Sequence, residues 1–147
     1  MTTPEGLQYA LSLLRKKGSG IPVVHAALPC TWGSSMQSLH KKRLQTDKAY
    51  RKHMDDLYKQ FEDLMFNFME LASEVKRRKG GIVFEWPANN KLWKEESVEA
   101  LIRVFGLTKV NFNGCQFGLV TRKGKAICKP WTFATNIPCV VEMFSPF

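Results

Sequence analysis

The chain has 147 residues, 44% of them hydrophobic, and a formal charge of +9 from 22 Lys and Arg against 13 Asp and Glu. That size suits a single domain over residues 1–147 with one core, and the apolar content excludes a disordered chain. No apolar run approaches the ~18 residues a membrane span needs, and Met1 to Glu5 lack a signal-peptide pattern, so the expectation is an intracellular protein with no membrane partner.

Residues 4–17 read as a helix. Pro4 and Glu5 suit a first turn after a Thr3 cap, and Leu7, Ala10, Leu11 and Leu14 recur at helical spacing. Gly18-Ser19-Gly20 stops it. Ile21 to Leu28 is nearly all apolar, with β-branched Val23 and Val24, and reads as a buried parallel strand. Residues 29–46 read as loop and carry the basic cluster Lys41-Lys42-Arg43. Asp47 to Arg78 is the longest helical pattern, long enough to admit a break, and its stripe of Tyr50, Met54, Phe61, Met65 and Phe68 reads as core packing.

Gly80-Gly81 closes that helix. A second strand, Ile82 to Pro87, stops at proline, Glu96 to Phe105 is helical, and Leu107 to Phe112 is a third strand. Residues 115–120 and 126–135 read as further strands joined by a turn at Lys123-Gly124. The alternation predicts an α/β, Rossmann-like fold: a mostly parallel sheet with flanking helices.

Charge and strand ends carry the functional expectations. The cation excess predicts attraction to nucleic acid. None of Cys30, Cys115, Cys128 and Cys139 forms a Cys-x-x-Cys pair, so free thiols are expected rather than zinc ligands or disulfides. Ligands of an open parallel sheet sit at the carboxyl ends of its strands. The first strand ends in Leu28-Pro29-Cys30-Thr31 and the second in Phe84-Glu85-Trp86-Pro87. As neighbours, these ends would set a thiol nucleophile beside a general acid. The plainer alternative is an inert, packed Cys30 and a solvated or salt-bridged Glu85. Of Trp86, Trp93 and Trp131, at least two read as core, the other use being a surface for stacked bases.

Pro29-Cys30-Thr31-Trp32-Gly33-Ser34 resembles the Pro-Cys loop of DNA cytosine-5 methyltransferases, and Phe84-Glu85-Trp86-Pro87 resembles that family's Glu-Asn-Val strand end. Asn113 to Leu119, Arg122 and Lys129-Pro130-Trp131 resemble the later Gln-x-Arg-x-Arg region. They are also similar to methylase-like domains carried by phages and retroelements. The similarity covers about residues 22–136. It implies a partial methyltransferase-like fold in which Cys30 adds to a cytosine ring, Glu85 contacts the base, and Arg122 sits beside them. S-adenosylmethionine would supply the methyl group, and Lys41, Lys42, Arg43 and Lys129 would hold phosphates. The base must leave its stack, at a cost of about a few kcal/mol.

The sequence departs from the family in several places, among them the Gln-x-Arg-x-Arg spacing, which the Leu119-Val120-Thr121-Arg122-Lys123-Gly124-Lys125 stretch does not keep. Trp86 stands where the family has Asn, and no Phe-x-Gly-x-Gly cofactor loop precedes Cys30. A second chain would then supply the cofactor half, or the domain binds nucleic acid without chemistry. A third expectation is an oligomerisation domain built on the helix at 47–78.

Overall fold

Helices form where the apolar spacing places them. In a computed structural model, which describes residues 3–16 and 20–145, α1 spans Pro4–Arg15, with the Thr3 hydroxyl accepting the Gly6 N–H at 3.2 Å. The expected stop at Gly18-Ser19 lies outside the described residues. The first strand, β1, is Val23–Ala26, shorter than its apolar run because only these residues pair with the next strand. Residues 29–46 are not all loop: a 3-10 turn covers Ser35–His40 and α2 covers Lys41–Thr46. The long helix α3, Lys48–Arg77, runs without a break, and the Asp47 carboxylate caps it by accepting the Tyr50 N–H at 3.0 Å.

Beyond α3 lie β2 (Gly81–Pro87), α4 (Glu96–Phe105), β3 (Thr108–Asn113) and β4 (Pro130–Thr135). A final helix, α5 (Pro138–Phe144), has no counterpart in the sequence reading. Residues 115–120 are a 3-10 turn (Gly114–Phe117) and a single bridge from Val120 to Ala126 rather than a strand.

The sheet order is β1-β2-β4-β3. β1 pairs with β2 in parallel, but β4 runs antiparallel to both β2 and β3. The sheet is therefore mixed, which corrects the expectation of mostly parallel pairing. The cause is the hairpin between β3 and β4: it reverses the chain and feeds β4 back between β2 and β3. β3 still runs in the sense of β1 and β2. The carboxyl ends of β1, β2 and β3 and the start of β4 thus meet at one edge.

Helices α1, α3 and α4 cover one face of the sheet. Phe84 and Trp86, at 0% and 1% exposure, point into this layer. Phe68 lies 5.6 Å from Phe84, Phe61 lies 6.0 Å from Trp86, and Trp93 lies 5.4 Å from Trp86. The α3 stripe and two of the tryptophans are core, as expected, while Trp131 is half-buried. On the opposite face, Phe144 of α5 packs on Phe112 and Phe133 at 4.6 and 5.0 Å. Among the described residues no helix is long and apolar enough to cross a membrane.

Candidate nucleic-acid interface

The Pro-Cys loop is fastened from beneath. Asn90 is 5% exposed; its amide donates to the Cys30 carbonyl at 2.8 Å, and its side-chain oxygen accepts the Leu92 N–H at 2.9 Å. Trp86 Nε1 donates to the Leu28 carbonyl at 2.7 Å, and the Lys91 N–H donates to the Gly33 carbonyl at 2.9 Å. Gly33 is required there: a Cβ would fall 2.7 Å from Leu92 Cγ and still closer to the Asn90 oxygen. Trp32 stacks on Tyr58 at 4.6 Å, and the Tyr58 hydroxyl donates to Glu95 at 2.8 Å. That hydrogen bond, then burial, pushes the Tyr58 phenol up to about 12.

Cys30 itself packs against the helix-side core. The cleft beside it, bounded by Ser34, Ser35, Pro87, Asn89 and Asn90, holds about 60 Å³. That is room for about two waters at ~30 Å³ each, too little for a cytosine ring.

Glu85 alternates with Phe84 and Trp86 along β2, so its side chain stands on the other face of the sheet. Its carboxylate takes a 2.8 Å hydrogen bond from His25 Nε2 on β1. The two strands are neighbours, as the sequence reading required. Even so, Cys30 and Glu85 serve different surroundings.

Arg122 sits on the hairpin that joins β3 to β4. The Gly124 N–H donates to the Thr121 carbonyl at 2.9 Å, and the Thr121 N–H donates to the Lys125 carbonyl at 2.8 Å. Gly124 takes φ +76°, so the tip is a tight turn closed by a left-handed glycine. Arg122, Lys123 and Lys125 are exposed at this tip, and Lys129 at the base lies over the Trp131 ring at 4.1 Å. No Asp or Glu occurs from Ala100 to Val141, so nothing local in sequence neutralises these cations. Across the hairpin the Cys115 and Cys128 sulfurs lie 3.5 Å apart, and Cys115 pushes the Cys128 thiol up from its ordinary value. All four cysteines are free thiols.

The remaining cations divide. Lys41 lines a cleft of about 430 Å³ with Trp32, Gln37 and Lys91, beside the Pro-Cys loop. Lys42 is exposed on α2. Arg43 is engaged within the fold, 3.2 Å from Asp47 and 4.5 Å from the Tyr50 ring centre. The Tyr50 N–H, then Arg43, hold the Asp47 carboxyl below its ordinary value. A cavity of about 590 Å³ lies between α3 and α4 and is rimmed by Glu62, Glu70, Glu95 and Glu96. Carboxylates there repel phosphate.

Of the residues expected to act together, the structure gathers Arg122, Lys129 and Lys41 along one edge. It does not join Cys30 to Glu85 in one cavity. Lys91, Lys123 and Lys125 were missed. The last two had a signal, since they flank Arg122 in an acid-free stretch around a turn glycine. Lys91 had none, because its place beside Lys41 is made by the fold. No family model matches the chain, and neither a curated protein nor a solved structure matches it.

Proposed function

We infer that this domain is a non-catalytic nucleic-acid-binding module that grips a strand along the carboxyl edge of its sheet. The observation that carries this reading is the edge itself. The exposed Arg122, Lys123 and Lys125 hairpin springs from the same edge as the Trp32, Lys41 and Lys91 cleft. Cations at the tip attract phosphates through released counterions, and half-buried Trp32 and Trp131 offer ring faces to bases. Recognition directed at the backbone needs no deep pocket, which suits the shallow relief here.

A catalytic, methyltransferase-like reading has one specific observation in its favour. Parallel pairing of β1 with β2 brings the Pro29-Cys30 loop and the Glu85 strand end to one edge. The packed thiol, the 60 Å³ cleft and the His25 partner of Glu85 weigh against it. Gly80 and Gly81 are packed under Pro22 and Ile137, and Gly20 faces open space, so these glycines give a cofactor loop no support. In that reading a second chain would pair with β1, an edge strand whose Val23 is 61% exposed.

Fluorescence anisotropy with a labelled single-stranded oligonucleotide separates the two. The module reading expects salt-sensitive binding and no covalent adduct with a 5-fluorocytosine strand. An adduct abolished by Cys30→Ser would restore the enzyme, and absence of any binding at low salt would end the module reading.

A further inference from the structure

The register of β3 and β4 continues past Asn113 opposite Pro130 through a 2.9 Å hydrogen bond from the Gly114 N–H to the Lys129 carbonyl. One residue past that bond on each side, Cys115 in the 3-10 turn and Cys128 in the returning chain bring their sulfurs to 3.5 Å. The sulfurs must close by about 1.5 Å to reach a bond of ~2.05 Å. Cys128 is exposed and Cys115 half-buried, so a small reagent reaches the pair. Cys30 is packed against the core and Cys139 is exposed on α5; neither has a second sulfur beside it among the described residues.

We propose that Cys115 and Cys128 are a reversible dithiol–disulfide pair, a modification site for low-molecular-weight disulfides that clasps the base of the basic hairpin. One protein thiolate attacks a sulfur of the small disulfide, forming a mixed disulfide and expelling one small thiolate. The second protein thiolate then attacks the protein sulfur of that mixed disulfide and expels the other small thiolate. The dithiol is oxidised by two electrons and the small disulfide is reduced to two thiols, which take the two protein protons. No other bond in the chain changes.

The clasp fixes the hairpin stem below Arg122, Lys123 and Lys125. Its effect on nucleic acid rests on the reading above: with the cations held in one spacing, oligonucleotide affinity rises about two- to fivefold, since less ordering is left to binding.

The test equilibrates the full chain, carrying Cys30→Ser and Cys139→Ser, with oxidised and reduced glutathione. Intact mass and peptide mapping then follow. The expected product has lost two hydrogens and links the peptides holding residues 115 and 128. Adding Cys128→Ser stops the reaction at a glutathione adduct on Cys115. Free thiols at the end of the titration, a persistent mixed disulfide with both cysteines present, or dimers through these cysteines would overturn the proposal. Oligonucleotide anisotropy on the oxidised and reduced forms reads the coupling separately. Equal affinities remove the coupling while the disulfide stands, and a protein that binds no oligonucleotide but forms the bond fails only the earlier reading.

Discussion

The Pro29–Ser34 loop and the hairpin from Gly114 to Lys129 leave the same edge of the sheet, yet they are held in opposite ways. The loop is tied down by side chains from distant parts of the chain: Asn90 on the Cys30 carbonyl, Trp86 on the Leu28 carbonyl, Tyr58 beneath Trp32. The hairpin is tied to itself, to the strands it joins and, through Phe117, to Phe144 of α5 at 5.0 Å, and its charged side chains meet solvent. The loop's thiol is thus absorbed into packing, while the hairpin's lysines and arginine meet solvent. The two segments differ in availability more than in intrinsic reactivity.

Reversing the hairpin charge breaks the comparison most severely. Arg122→Glu with Lys123→Glu and Lys125→Glu should weaken oligonucleotide binding by about 10²- to 10³-fold. It should also flatten the dependence of log affinity on log salt by about 2, with the thermal midpoint little changed. Glu70→Gln and Glu96→Gln, in the acidic groove, should leave binding within about twofold in the same anisotropy assay.

Loop substitutions should show the reverse pattern. Asn90→Ala leaves the buried Cys30 carbonyl without its donor and should cost about 1–3 kcal/mol in urea unfolding. Gly33→Ala forces a methyl against Leu92 and Asn90 and should cost a similar ~1–3 kcal/mol. Both proteins, once folded, should keep the salt-sensitive part of oligonucleotide binding that the hairpin cations supply. Cys30→Ser should change stability by about 1 kcal/mol or less and leave binding intact. A large loss of affinity in that variant would mean that the Cys30 side chain itself meets the strand.

The smallest effect is spectroscopic. Tyr58 should ionise near pH 12 in a difference-absorbance titration, above the ~10 of a free tyrosine. A raised folded pKa means that the Tyr58–Glu95 contribution to stability is fully present below pH ~10 and is lost as pH climbs through 12. Ionisation at the ordinary value would show that the platform under Trp32 is looser than the geometry describes.

Much of the fold was legible in the sequence because it is written in local periodicity. The apolar steps of α3 and α4, the Gly80-Gly81 stop and the Lys123-Gly124 turn all appear where they were read. Strand partners were not legible, since the placement of β4 between β2 and β3 depends on pairings far apart in sequence. α5 was missed because seven residues give little helical period. The candidate site divides along the same line. The basic hairpin could be read from Arg122 and its neighbours, and the adjacency of the first two strands was the condition placed on Cys30 and Glu85. The fate of those two side chains was not readable. Cys30 is held by Asn90, sixty positions away, and Glu85 is claimed by His25 across the parallel ladder.

The central claim is that nucleic acid meets the carboxyl edge of the sheet. Its most direct test is a ¹H–¹⁵N correlation titration of the protein with a single-stranded oligonucleotide. The account predicts shifts concentrated on the hairpin from Gly114 to Lys129 and on the Trp32, Lys41 and Lys91 cleft, with the groove between α3 and α4 unmoved. Shifts centred on that acidic groove or on the α5 side of the sheet, or none at low salt, would contradict it.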